Sequence, residues 1–293
     1  MHPVLIDFGF FKLHTYGLMI AIAFLVGMQL GTREARRVDL SPDRKFDQFI
    51  LDLCFWILVA AMVGSRLLFI IVNWDEYARD PLKIFRVWEG GLVFYGGFIA
   101  AVLFSVWYSR SKGHDFFLVA DILIPSVAMG IFFGRLGCLA AGCCWGGTVD
   151  SSFAFGVQFP AESLIHSSMR SHGLIGPDAP WTLHVHPVQL YDSIGGLTIF
   201  FLLQALKSRK RFNGQLLLVF LFLYPIHRSI METLRGDKER GVYHLIGDLA
   251  LSTSQIISIV IALVAVTLLV YLRRRAGHIA SGSAPGGGAV ANA

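Results

Sequence analysis

Apolar residues in this chain neither alternate nor recur at every third or fourth position. They run in continuous blocks, at about 16–32, 47–72, 91–108, 116–134, 187–206, 214–231 and 252–272. A hydrocarbon core of about 30 Å is crossed by about 20 helical residues rising 1.5 Å each. Inside it, an unbranched segment satisfies its own backbone only as a helix. The pattern therefore predicts an all-α polytopic membrane protein with seven transmembrane helices. Between the blocks lie Arg33, Arg36, Arg37, Arg44 and Lys45; then Arg110 and Lys112; then Lys207, Arg209, Lys210 and Arg211; then Arg273, Arg274 and Arg275. If all seven blocks span, these clusters share one side. The positive-inside rule makes that side cytoplasmic, with the N-terminus out and the C-terminus in. Block one has no basic n-region beyond Lys12 and no convincing cleavage site, so it reads as a retained helix.

The polar segments complete the picture. Residues 140–186 are rich in Gly, Pro, Ser and His without helical periodicity, which predicts a small extracytoplasmic cap on a transmembrane domain of residues 1–276. Residues 277–293 (GHIASGSAPGGGAVANA) predict a flexible cytoplasmic tail. Composition agrees: 55% of residues are hydrophobic and only 15% charged, against about 25% charged in soluble domains. The formal net charge of +5 gathers in short loops, where it orients the chain, so no nucleic-acid partner is expected. No internal repeat is visible, which argues against an inverted-repeat transporter.

Candidate chemistry begins where charge interrupts apolar sequence. A charge at the bilayer centre costs about 2.5–3.5 kcal/mol on insertion scales, yet Arg66, Asp121, Arg135 and Arg228 sit within the blocks. The three arginines fall in the outer halves of their helices and suggest a site for a phosphate or anionic headgroup, which a guanidinium fork grips at two points. Snorkelling, or pairing with Asp52, Asp121 or Glu232, is the plainer reading for any one of them. Arg228, Glu232 and Arg235 share a helical stripe on which a carboxylate would hold two arginines. Gly90-Gly91 and Gly96-Gly97 flank Tyr95, and Gly134, Gly137, Gly142, Gly146 and Gly147 surround Arg135. Most such glycines serve helix packing; some, including those beside Tyr95, would let a substrate come close. His184 and His186 precede Pro187 at the fifth block and are caps, ligands or bases.

Four cysteines remain. Cys54 lies in a block, whereas Cys138, Cys143 and Cys144 end the fourth. Their C-x4-C-C spacing matches no tetrahedral zinc pattern, so no metal site is expected. The absence of C-x-x-C makes a membrane thiol oxidoreductase the weaker of the functional classes considered.

Taken in order, Leu13-His14-Thr15-Tyr16-Gly17-Leu18-Met19, Phe85-Arg86-Val87-Trp88-Glu89-Gly90-Gly91, Gly134-Arg135-Leu136-Gly137, His186-Pro187-Val188-Gln189-Leu190-Tyr191, Tyr224 with Arg228, and Ser254-Gln255-Ile256 resemble the prolipoprotein diacylglyceryl transferase family. The resemblance implies a bacterial inner-membrane enzyme, active toward the periplasm and needing no cofactor. Such an enzyme moves the diacylglyceryl group of phosphatidylglycerol onto the lipobox cysteine in a prolipoprotein signal peptide, releasing glycerol 1-phosphate. It places the family's essential arginines on Arg135 and Arg228 and its functional tyrosines on Tyr16 and Tyr224. Tyr95 is added as a catalytic candidate, and Arg66, His14, Gly137, Gly146, His186, Glu232 and Arg235 as substrate-binding candidates. The chain departs from the family pattern in three places. Phe94-Tyr95-Gly96-Gly97 stands for F-H-G-G, so a tyrosine replaces the histidine proposed as base. Cys138 and Ala141-Gly142-Cys143 replace the family's asparagine-bearing G-R-x-G-N and N-G-E. Asp192 replaces the glutamate that ends H-P-x-Q-L-Y-E. A non-catalytic, lipid-binding paralogue is the alternative these departures keep open.

Overall fold

The computed structural model describes residues 4–7, 9, 12–39, 45–80, 83–84, 86, 90–236, 242–246 and 249–282. Its long elements are all helices: α1 (Thr15–Val38), α2 (Lys45–Val72), α4 (Phe94–Ser111), α5 (Phe116–Ala141), α7 (Val188–Lys207), α8 (Gln215–Thr233) and α9 (Thr253–Gly282). Two short helices, α3 (Trp74–Arg79) and α6 (Leu164–Ser171), and two antiparallel hairpins complete the set. The hairpins are β1 (Val4–Asp7) with β2 (Lys12–His14), and β3 (Val242–Ile246) with β4 (Leu249–Ser252). Six helices among the described residues are long and apolar enough to cross a membrane: α1, α2, α5, α7, α8 and α9. The block expected at 91–108 is α4, whose 18 residues reach about 27 Å and include Gly96, Gly97, Trp107, Tyr108 and Arg110. Trp88, Glu89, Arg44 and residues 283–293 lie outside the described residues, while α9 runs on to Gly282, past the expected start of the tail.

The chain forms two compact units, residues 28–123 and residues 1–27 with 124–293, the division falling inside α1 and α5. In the smaller unit α2 packs on α4 through small residues. A methyl added at Gly64 would lie 2.6 Å from the Gly96 carbonyl oxygen, and one at Gly97 would lie 2.9 Å from that of Ala61. This contact, rather than room for a substrate, is what the Gly96-Gly97 pair provides: small residues let two helix backbones approach in a medium that gives helices no hydrophobic drive to associate. Outward, α2 exposes Phe55, Trp56, Met62, Val63 and Leu67, a face suited to acyl chains.

In the larger unit α7 packs on α8 and α8 on α9. Gly196 brings α7 against α5, where a methyl would lie 3.1 Å from the Ala128 oxygen, and Ser193 Oγ donates to the Phe132 carbonyl at 3.0 Å. Pro125 in α5 and Pro225 in α8 lie inside continuous helices, each removing one backbone bond and freeing a carbonyl one turn back.

The cap expected over 140–186 has its own small core of Phe159, Ile165, Met169 and Val185, with Leu139, Trp145, Val157 and Ile175 against it. Helix α6 starts at Ser163, whose Oγ accepts from the His166 amide at 3.3 Å. Val157 and Val185 exchange backbone bonds at 3.1 and 3.0 Å. His166 Nε2 meets the Ala179 carbonyl at 2.7 Å and closes the intervening loop.

Candidate functional site

The site grows from one buried carboxylate. Asp192, one turn into α7, is only 3% exposed at its side chain. A buried carboxylate stays ionised only beside positive partners. Arg135 Nε of α5 lies 3.2 Å from Asp192 Oδ2, an ion pair by distance without the alignment of a hydrogen bond. His227 Nε2 of α8 lies 3.0 Å from Oδ1, a charged pair when the imidazole is protonated. Gly195 makes this possible: any side chain there would run into the His227 ring. The sequence thus supplies Asp192 and Gly195 three apart on one helix face to clasp a histidine from its neighbour. His227 was not singled out from the sequence. Its signal was a polar residue inside an apolar block, masked by its neighbour Arg228.

Arg228 follows on α8 and pairs through Nη2 with Glu232, one turn on. Its Nη1 is buried and has no hydrogen-bond partner among the described residues. A buried, unsatisfied guanidinium nitrogen forfeits about 1–3 kcal/mol or more, and an anion is the kind of acceptor that would answer it. Tyr224, one turn earlier, stacks on Phe220 at 5.4 Å and lies in the field of Arg135. Pro225 sits between Tyr224 and His227 inside the helix, where it lacks the N–H for one backbone bond.

Tyr16 and Gly137 meet where α1 starts against the end of α5: a methyl at Gly137 would lie 3.2 Å from the Tyr16 ring and 3.1 Å from Met19 Cβ. Here the glycine makes room for Tyr16, which also feels Arg135 and the three thiols beyond it. His14, at the end of β2, is exposed. Gly146 is pinned between His186 and Val188, and its amide donates to the His186 carbonyl at 3.1 Å. The segment Gly146–Gly147 then bridges to Arg235, while the Gly147 amide donates to Leu234 at 2.9 Å. Close backbone approach, rather than ligand contact, fixes Gly146. A cavity of about 630 Å³ opens beside it, lined by Trp145, Gly147, Ser168, His172, Leu183 and Arg235. His186 packs edge-on to Phe153 at 5.0 Å, and its Nδ1 is buried without a hydrogen-bond partner among the described residues.

Cys138, Cys143 and Cys144, spread over seven positions, bring their sulfur atoms within 4.8 Å of one another. Hydrogen bonds from the Cys138 and Cys143 thiols and from the Arg235 guanidinium hold the Cys144 thiol well below the usual range, against the opposing effect of burial.

Arg66 departs from the expected phosphate role. It is 7% exposed, and all five of its N–H donors have carbonyl acceptors within its own unit. Nε donates to Ile84 at 3.3 Å, Nη1 to Gly90 at 2.7 Å and Gly91 at 3.3 Å, and Nη2 to Lys83 at 2.7 Å and Arg86 at 3.2 Å. The guanidinium also lies 5.4 Å from the Tyr77 ring centre. Gly90 and Gly91, with φ of 85° and 80°, turn the loop so that their oxygens face it. Arg66 ties down the loop before α4 and has no donor left for a phosphate. Tyr95, in the first turn of α4, is 63% exposed, and its ring meets that of Phe94 edge-on at 5.9 Å.

Apolar helices carrying paired and partly unsatisfied arginines, with a small folded cap, define a polytopic membrane protein whose polar chemistry is held inside its helices. The family model for prolipoprotein diacylglyceryl transferase matches residues 3–271, and the chain belongs to that family. It is 35% identical over 242 residues to a phosphatidylglycerol–prolipoprotein diacylglyceryl transferase of Parasynechococcus marenigrum, covering 80% of each chain. It is 30% identical over 281 residues to the enzyme of that name from Halalkalibacterium halodurans, covering 95% of this chain and 88% of the relative. With the Clostridium tetani enzyme the identity is 30% over 259 residues, covering 88% and 93%.

Proposed function

We propose that this protein transfers the diacylglyceryl group of phosphatidylglycerol to the cysteine thiol of a prolipoprotein lipobox. The glyceryl carbon–oxygen bond to phosphate breaks, a carbon–sulfur thioether forms, and glycerol 1-phosphate leaves with the bond's electron pair. The buried Arg228 Nη1 without an acceptor carries the reading, because phosphate oxygens are the partners a guanidinium takes best. Arg135, steadied by Asp192, is the second phosphate ligand. Tyr224 and Tyr16 flank it as hydroxyl donors, and the pair of positive charges stabilises the departing phosphate where negative charge develops. Glu232 positions Arg228, and Arg235 at the cap cavity meets the incoming peptide.

The thiol, with an ordinary pKa of about 8.5, must lose its proton during attack. Tyr95 is exposed on α4 and is assigned to orient or deprotonate it, with His14 and His186 as the alternative bases. Tyr95→Phe should then abolish most lipobox-peptide modification while phosphatidylglycerol binding persists, and Tyr95→His should be tolerated, its imidazole titrating nearer neutrality. Wild-type turnover in Tyr95→Phe would transfer the role to the histidines.

In this reading the protein spans the bacterial inner membrane seven times, α4 included. Its N-terminus and cap lie outside and its C-terminus inside, so that exported precursors reach Arg135 and Arg228. Reporter fusions after residues 110 and 275 should score cytoplasmic, and one near residue 170 extracytoplasmic. Rescue of a conditional transferase-deletion strain tests the activity itself: growth with modified lipoprotein is the expected result, and membrane insertion without rescue would leave only a lipid-binding paralogue.

A further inference from the structure

The C-terminal end of α5 is closed by a capping motif that does more than stop the helix. The Gly142 amide donates to the Leu139 carbonyl at 3.2 Å, and the Cys143 amide to the Cys138 carbonyl at 3.1 Å. Gly142 itself adopts a left-handed φ of 66°. This bond pair, the inner one nested in the outer, with a left-handed glycine between, is a Schellman ending. In it the side chains of the residue after the glycine and of the residue five positions before are brought into contact, usually as an apolar pair. Here both are cysteines, Cys138 and Cys143. The next residue, Cys144, also takes a left-handed φ of 59°, alone among the described residues other than glycine. A left-handed non-glycine residue costs about 1–2 kcal/mol, and here the turn folds a third sulfur back onto the first two.

The resulting cluster has features the transferase chemistry does not use. Its three sulfur atoms lie within 4.8 Å of one another. Three thiolates bound to one ion at about 2.3 Å stand about 4 Å apart, so at most a small contraction would close the set. The cysteines are free and half-buried, open to a small ion. Among the described residues no carboxylate or imidazole belongs to the group, so its donor set is soft and favours ions such as Cu(I) over harder ones. The Gln189 Nε2 donates to the Cys143 carbonyl at 2.7 Å, fixing the turn from α7. Arg135 acts on Cys138 and Arg235 on Cys144, positive charge that would offset a site carrying three thiolates and a single cation.

We propose that Cys138, Cys143 and Cys144 form a three-thiolate site for a soft metal ion of low coordination number, with Cu(I) as its test ion. Binding exchanges whatever protons the three thiols still carry for one Cu(I) and leaves copper and sulfur in their oxidation states. The proposal is independent of the transferase reading, since it concerns thiols that were given no part in the transfer. The test is titration of the reduced, full-length protein in detergent with Cu(I), against a chromophoric Cu(I) chelator. Wild type and Cys54→Ser should each hold one ion, and the combined Cys138→Ser, Cys143→Ser, Cys144→Ser variant should lose it. X-ray absorption of the loaded wild type should show three sulfur scatterers, a readout that stands even where the triple variant fails to fold. Equal competition by wild type and a folded triple variant, or copper bound through nitrogen or oxygen alone, would overturn it. So would a reduced wild type that takes up no Cu(I) and merely closes a disulfide on exposure to air.

Discussion

Arg66 and Arg228 both interrupt apolar helices, and the two units of the molecule treat them in opposite ways. In residues 28–123 the loop before α4 delivers five carbonyl oxygens to Arg66, so its charge is absorbed by the fold. In the other unit Arg228 has Glu232 on one side and an unanswered Nη1 on the other. The same contrast holds for glycine: Gly64 and Gly96 press two helices together, whereas Gly195 clears space for the His227 ring. A costly residue in a membrane helix is thus either a fastening, when its neighbours satisfy it completely, or a tool, when they satisfy it in part. The degree of satisfaction separates the two.

Asp192 gives the largest effect by which to test this distinction. Asp192→Ala strands Arg135 and leaves His227 without its acceptor, and breaking a buried pair from one side costs about 3–5 kcal/mol. Thermal unfolding in detergent should show that loss, with Asp192→Asn intermediate because it keeps an acceptor for one partner. An Asp192→Ala protein as stable as wild type would mean the carboxylate is no structural hub.

The next effect sharpens the contrast directly through paired lysine substitutions. Arg228→Lys should lower lipobox-peptide modification about 10²–10³-fold, the scale of losing one preorganised donor at a developing oxyanion, with little change in stability. Arg66→Lys should do the reverse. An ammonium cannot serve five carbonyls in a planar fork, so about 1–3 kcal/mol of stability should go, while the folded fraction keeps its KM. Equal loss of turnover in the two folded variants would erase the difference between fastening and tool.

The smallest effect concerns pH and the smaller unit. Burial lowers the His114 pKa below its ordinary 6.5, a shift partly offset by Asp39, and the ring packs against Phe46 and Phe49 at 4.9 and 4.2 Å. Because the folded state resists protonation, its contribution is fully present above pH 6.5 and declines as pH falls below that value. Melting curves of wild type and His114→Gln should converge in acid. A gap that widens on acidification would reverse the assigned sign.

Much of this was legible in the sequence because membranes leave few options. Continuous apolar blocks predicted the long helices, with α4 the one among them that falls short in hydropathy, and the motif order around Arg135, Tyr224 and Arg228 pointed to the family that residues 3–271 match. Hydropathy along one dimension suffices for such inferences, since every backbone group in lipid must be satisfied within its own segment. It does not say which groups meet. Arg66 and Arg228 look alike in an apolar window, and only the loop folded onto Arg66 shows that its donors are taken. Asp192 read as a conservative departure from a motif, and only the packing of α7 between α5 and α8 makes it the partner of both Arg135 and His227. The cysteine spacing matched no metal pattern because such patterns are counted along the chain, whereas a capping turn and one left-handed residue gathered the sulfurs in space. The sequence by itself determined the long helices and the family, through local hydrogen bonding and hydropathy, but not the hairpins or the short helices α3 and α6. Tertiary structure decided which charges are satisfied and which lack a partner among the described residues, because that depends on acceptors supplied from elsewhere in the chain.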